Sequence, residues 1–314
     1  MLLDMIRLHS NLAWYSNQLI KQRSDILCRL QRDEEDKNMK KRLALLLALA
    51  LMAATVLSGC GGKEEKKDEG KSESKKEYTA KEAGDTFTVG FDQDFPPMGF
   101  VGDDGEYTGF DLELAQEVCD RLDLKFEPKP IAWDSKDAEL SSGGIDCIWN
   151  GFTMNGREDE YTWSDAYLDN KQVFVVREDS GINSEKDLEG KVVDVQTDSS
   201  AQAALDDNQE LAATFGNLEV VPDYNTGFMN LESGAVDAVA MDIVVASYQI
   251  EKRDAAFKIL DYEIAAEEYG VGFAKGNEAV RDQVQKTLEE MAADGTMAKI
   301  SEKWFGEDIT TIGK

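Results

Sequence analysis

Arg157 and Asp242 belong to a set of segments that between them also carry glycine, hydroxyl and aromatic residues. Arginine offers a planar fork to a carboxylate and aspartate accepts from an ammonium, so the combination suits a zwitterion. Four segments carry it: Asp92 to Pro97, Asn150-Gly-Phe-Thr153 with Arg157 after it, Thr197-Asp-Ser-Ser200, and Asp242. Ser199 and Ser200 precede a predicted helix, whose free backbone amides favour an anion. The blander readings are a surface arginine, an aspartate that caps a helix and serines that do the same. The single histidine is His9, upstream of a predicted cleavage point. Without a second one, a Ser-His-Asp triad, a Cys-His pair and a His-ligated zinc site are excluded from the mature chain.

These segments need strand ends and helix starts to hold them. Phe87 to Phe91 alternates like a strand, and Phe110, Leu114, Val118 and Leu122 recur on one face of a helix. Strands are also predicted at 124–126, 145–149, 173–176, 192–195 and 236–241. Helices are predicted over 133–140, from near Ser199, and over 242–250. A last helix places Val280, Val284, Leu288 and Met291 on one face. Such alternation predicts α/β architecture with mostly parallel sheets. Ligands of such sheets bind at strand C-terminal ends, and all four segments lie there. Asp103-Asp104-Gly105-Glu106 reads as a hairpin turn, since it lacks the remaining spacing of a calcium loop. Cys119 and Cys147 read as buried thiols, with a disulfide the lesser alternative.

At 314 residues the chain has room for two domains, and 42% hydrophobic with 31% charged residues suits a soluble globular protein. Lys plus Arg number 34 against 63 Asp plus Glu, a formal charge of −29. Such a surface repels phosphate backbones, so nucleic acid is excluded as a partner. Met39-Lys40-Lys41-Arg42 is a basic start, followed by an uncharged run from Leu43 and by Leu57-Ser-Gly-Cys60. That order makes a secretory signal over 39–59. Leu-Ser-Gly-Cys resembles the lipobox of bacterial lipoproteins, which implies that Cys60 is diacylated and becomes the N-terminus. Residues 1–38 fit no part of such a signal and read as an upstream extension, with Met39 the true start. Residues 60–85, rich in Lys, Glu, Gly and Ser, read as the lipidated cysteine and a flexible tether.

From Thr86 onward, nine motifs stand in order: Phe91-Asp-Gln-Asp-Phe-Pro-Pro97, Gly109-Phe-Asp-Leu-Glu-Leu-Ala115, Gly144-Ile-Asp146, Trp163-Ser-Asp165, Leu188-Glu-Gly-Lys191, Gly234-Ala-Val-Asp237, Tyr269-Gly-Val-Gly-Phe273, Asp294-Gly-Thr296 and Lys303-Trp-Phe-Gly306. Over this span the chain is similar to the extracellular solute-binding proteins of polar amino-acid ABC importers, family 3. The resemblance implies a two-lobed periplasmic-binding-protein-like fold of type II, each lobe a mixed or parallel sheet flanked by helices, with two crossovers. Lobe one would be 86–168 plus 269–314 and lobe two 169–268, closing by hinge rotation around the cleft.

The same resemblance assigns roles. Arg157 matches the arginine that grips the ligand carboxylate, although the spacing from Thr153 is one residue shorter than in many members. Asp242 matches the acceptor of the ammonium, with Thr153 and the Gly151 carbonyl beside it. Ser199 and Ser200 resemble donors to the carboxylate, Ser199 the stronger of the two. Phe95 and Trp133 align with the pair that sandwiches the ligand side chain. Asp92, with Asn150 as a second contact, lies at the side-chain end and favours a cationic or glutamine-like group.

The function implied is a monomeric receptor, lipid-anchored through Cys60 on the outer face of the cytoplasmic membrane. It would bind a free polar amino acid and deliver it to an ABC permease, without cofactor, metal or catalytic residue. Two alternatives compete. Exported arogenate- or prephenate-type dehydratases use the same fold, but no residue here stands out as their catalytic acid. A ligand-binding partner of a membrane sensor is the other; fused sensor modules carry a transmembrane helix and a downstream element, whereas this chain stops at Lys314.

Overall fold

A computed structural model describes residues 77–253 and 256–314. The expected signal and Cys60 lie outside the described residues. Of the segment expected as a tether, the described end lies against the folded chain. Lys81 N donates to Gln283 Oε1 at 2.8 Å, Gln283 Nε2 returns a bond to Lys81 O at 3.0 Å, and Lys81 Nζ pairs with Asp146 at 2.6 Å.

Two sheets organise the rest. The first runs, edge to edge, Lys125–Pro130, Thr86–Phe91, Cys147–Ile148, Gly272–Phe273 and Thr162–Trp163. Its first three strands are parallel, and Gly272–Phe273 runs antiparallel to both of its neighbours. Phe87, Val89 and Phe91 are fully buried at the strand period, and Phe110, Leu114 and Val118 are fully buried at the helix period on Phe110–Leu122. They share one core with Val284, Leu288 and Met291 of the helix Glu278–Asp294. Removing each such side chain from water contributes about 1.5–3 kcal/mol.

The second sheet runs Asn217–Val221, Val192–Gln196, Ala238–Asp242, Leu168–Arg177 and Phe257–Ile259, with Ala265–Tyr269 also on Leu168–Arg177. Leu168–Arg177 is antiparallel to its neighbours. Its run Val173 to Val176 is buried throughout because helices cover both faces. Phe174 and Val176 pack with Leu205, while Val173 and Val175 pack with Tyr224 and Phe228. The chain passes from the first sheet to the second along Leu168–Arg177 and returns along Ala265–Tyr269.

Several expectations need adjusting. The sheets are mixed rather than mostly parallel: Gly272–Phe273 of the returning chain runs against its neighbours in the first, and the outgoing Leu168–Arg177 against its neighbours in the second. Ile145, Cys147, Ile148 and Trp149 are buried, with Asp146 half-buried between them, yet only Cys147–Ile148 pairs as strand. Trp133–Ser135 is a 3₁₀ turn that leads into the helix Lys136–Ser142. Asp103 to Glu106 is the turn between Gly99–Val101 and Tyr107–Thr108, with Gly105 at φ +85°. Cys119 and Cys147 are free and buried.

Candidate functional site

The strand ends of both sheets meet at a small cavity lined by Phe95, Trp133, Asn150, Gly151, Thr153, Arg157, Gln196, Ser199, Ser200 and Asp242. Nine of the ten candidate ligand residues are on that wall. The tenth, Asp92, lines an adjoining open cavity of about 480 Å³ together with Asp94, Trp133, Asp134 and Asp223. Bonds across the cleft hold it shut. Thr153 Oγ1 donates to Ser200 Oγ at 3.1 Å, Gln196 Nε2 to Asp92 Oδ2 at 2.7 Å, and Asn225 Nδ2 to Asp94 Oδ1 at 2.8 Å. Trp133 Nε1 donates to the Asp198 carbonyl at 3.2 Å, and Lys136 pairs with the Asp198 carboxylate.

The two charges on the wall are differently held. Arg157 donates to its own loop at Thr153 O (3.3 Å), its guanidinium lies 5.5 Å from the Phe152 ring, and it makes no ion pair among the described residues. Asp242 ends the strand Ala238–Asp242 and is 3% exposed. Its Oδ1 accepts from Asn170 Nδ2, Gln172 Nε2 and Tyr269 OH at 2.9, 2.7 and 2.6 Å, and its Oδ2 from Tyr224 OH at 3.3 Å. These four bonds come from side chains outside the following helix. Burial pushes its carboxyl above the ordinary range, while the Tyr269, Glu267 and Gln172 bonds pull it back.

Gly151 supports the binding loop from a backbone position few residues tolerate. Its φ is +56°, and a Cβ there would lie 2.9 Å from Phe95 Cε1. Its N–H donates to Asp111 Oδ2 at 2.6 Å, and Tyr167 OH donates to the same oxygen at 2.9 Å. Asp111 is fully buried, which pushes its carboxyl up to about 7 despite those bonds. Asp92 is pushed up to about 6 by burial, against the bonds from Asp94 N and Gln196. Asn150 spends its Oδ1 on Asp92 N at 2.9 Å, and its Nδ2 is buried without a partner. Ser199 caps the helix Ser200–Asp207: its Oγ accepts from Gln202 N and donates to Gln196 O. The hydroxyl left facing the cavity is that of Ser200.

Several residues of the site escaped the sequence reading. Gln196, last residue of its strand, had a signal in its place at the strand's C-terminal end. Lys136 and Glu267 had none, since charged residues read as solvent-facing. Lys136 is 2% and Glu267 5% exposed. Among the described residues no acidic, cysteine and histidine cluster could hold a metal ion, and no helix is long and apolar enough to cross a membrane.

Residues 87–307 match the bacterial extracellular solute-binding proteins, family 3. The chain belongs to that family. This family-3 protein is 34% identical over 276 residues to the L-cystine-binding protein TcyA of Bacillus subtilis (strain 168), covering 87% of the chain and 100% of that relative. It is 33% identical over 233 residues to the L-cystine-binding protein TcyJ of Escherichia coli (strain K12), covering 73% and 86%. The substrate-binding protein of a Streptococcus pneumoniae ABC uptake transporter, solved with bound histidine, matches it with a TM-score of 0.70 at 34% identity over 72% of this chain and 94% of that one. An ancestral arginine-binding protein bound to glutamine matches with a TM-score of 0.65 at 38% identity, over 71% and 98%. The fold is the two-lobed type II periplasmic binding protein, and the relatives are binding proteins rather than enzymes.

Proposed function

We propose that this family-3 protein is a receptor for a free polar amino acid and performs no chemistry on it. The observation that carries the reading is the pair Arg157 and Asp242. Both line the same cavity, and neither has a partner of opposite charge among the described residues. A buried charge left unpaired, as at Asp242, is costly; a zwitterion supplies the ammonium it lacks and a carboxylate for the half-buried Arg157. The carboxylate would meet Arg157 and Ser200. The ammonium would meet Asp242, Thr153 and the Gly151 carbonyl. The side chain would pass between Phe95 and Trp133 toward Asp92, with Asn150 beside it. The carboxylates of the adjoining cavity favour a polar or cationic tip. Relatives named for cystine, histidine, arginine and glutamine support the amino-acid class.

A thermal-shift screen of the full-length chain tests this, using the twenty amino acids, ornithine, citrulline, cystine and arogenate after refolding to remove carried-over ligand. A ligand at a hundred times its Kd stabilises by about 2.7 kcal/mol, so one polar amino acid should stand out. No response from any amino acid would overturn the reading, and turnover of arogenate would replace it with the dehydratase.

The wider role we propose is delivery to an ABC permease by a monomer whose lobes are 86–168 plus 269–314 and 169–268. Anchoring would be through diacylated Cys60. Membrane fractionation tests the anchor: Cys60→Ser should release the protein, and continued attachment would defeat the lipoprotein reading.

A further inference from the structure

Behind Asp242 stands a second buried carboxyl that amino-acid binding leaves unexplained. Asp242 lies opposite Gln172 on one side of the strand Leu168–Arg177, and Glu267 lies opposite Asn170 on the other. Asn170 and Gln172 point to the same face, and both acids converge on them. Glu267 Oε1 accepts from Asn170 Nδ2 at 2.5 Å and Gln172 Nε2 at 2.7 Å, the same two nitrogens that donate to Asp242 Oδ1. Sharing both donors brings Asp242 Oδ1 and Glu267 Oε1 together at one polar cluster. No cation pairs with either among the described residues.

The surrounding groups leave this pair to itself. Tyr224, from the helix Tyr224–Ser233, and Tyr269, from the strand of Glu267, donate to Asp242; burial pushes both hydroxyls up, so they stay protonated. Arg157 lines the cavity in front of Asp242. The groove beside Glu267 is lined by Glu160, Asp207, Asp198, the last paired with Lys136, and by Arg157, which makes no ion pair with Glu267. Two adjacent buried acids in such surroundings do not both ionise, and they titrate as a unit.

We propose that Asp242 and Glu267 hold one proton between them while the site is empty, and that the ammonium of an incoming amino acid takes its place. The ammonium supplies the positive charge that the proton had supplied, so the proton leaves for solvent as the ligand enters. Glu267 is thus a positioning residue acting through Asp242. The inference rests on Asp242 receiving the ammonium.

Two measurements on the full-length chain separate its parts. In the ligand-free infrared spectrum at pH 7, wild type should show a protonated-carboxyl band that both Glu267→Gln and Asp242→Asn lose. If neither variant loses such a band, proton sharing is overturned whatever the ligand. Calorimetric titration with L-glutamine, L-arginine and L-cystine, in two buffers of different ionisation heat, then counts protons. Wild type should release up to one proton per ligand bound. Between pH 7 and 8, above the range in which Asp92 titrates, its affinity should rise by at most tenfold, because the pair's upper pKa is pushed up to about 8. Glu267→Gln should bind without releasing a proton. Equal release from both proteins would show Glu267 to be structural only. Failure of all three amino acids to bind would overturn the displacement together with the amino-acid reading, while the infrared band still decides the sharing.

Discussion

Lys136 and Asp198 form an ion pair that joins the two lobes, and each is an unusual residue for its position. Lys136 is 2% exposed, with its ammonium 5.2 Å from the Trp133 ring, and Asp198 holds φ at +56°, where non-glycine residues are uncommon. Opening the cleft would have to break this pair. Breaking it from the Asp198 side strands a buried ammonium, whereas removing Lys136 leaves a carboxylate that is half in water. Asp198→Asn, which tolerates the left-handed backbone, should therefore weaken amino-acid binding at least tenfold, about 1.4 kcal/mol. Lys136→Met should cost less, and the double variant no more than Lys136→Met alone. Equal and additive losses, measured by titration of the four proteins, would show that the pair does not couple.

Arg157 and Asp242 should each be indispensable for binding and dispensable for folding. Loss of either leaves one end of a buried zwitterion unpaired, which costs roughly 2–5 kcal/mol. Arg157→Ala and Asp242→Asn should thus lower affinity by about 30-fold or more. Circular dichroism and denaturation midpoints should stay close to wild type for Arg157→Ala, because its one bond is to Thr153 O. Near wild-type affinity in either variant would remove that residue from the site.

Periodicity made much of this fold legible, and chemistry at strand ends made much of the site legible. Phe110, Leu114 and Val118 announce a helix and its buried face because one side of a helix must leave water. Glycine, hydroxyl and aromatic residues after predicted strands located the cavity wall, since loops at those ends face it. What stayed hidden was polar and inward-facing. Glu267 and Glu268 are adjacent and chemically alike, yet Glu267 shares the inner face with Tyr269 and Glu268 the outer one. Nothing local distinguishes them; the register against Asn170 does. Lys136 is likewise buried only because Asp198, distant in sequence, comes to meet it.

Gly151 offers a test of loop geometry apart from charge. Alanine would meet both an unfavourable φ of +56° and contacts of 2.9 Å to Phe95 and 3.0 Å to Tyr269. Such a site costs about 1–3 kcal/mol. Gly151→Ala should lower the denaturation midpoint and also weaken ligand binding, because Phe95 lines the cavity and must move. A stable variant with unchanged affinity would show that the loop can relax.

Asp111 links the same loop to pH. Its folded carboxyl is pushed up to about 7 by burial, from an ordinary value of 3.8. The folded chain therefore binds more protons than the unfolded chain between those values, and stability must fall as pH rises through that window. The contribution is fully present below about pH 4 and is lost as pH passes 7, a loss of roughly 4 kcal/mol. Asp92 shifts in the same direction, to about 6, so part of the slope belongs to it. Urea midpoints measured from pH 5 to pH 8 should decline for wild type and decline less for Asp111→Asn, whose side-chain oxygen can still accept from Gly151. A wild-type midpoint that rises over this range, or an equal slope in the variant, would mean that the Gly151 and Tyr167 bonds outweigh the burial of the charge.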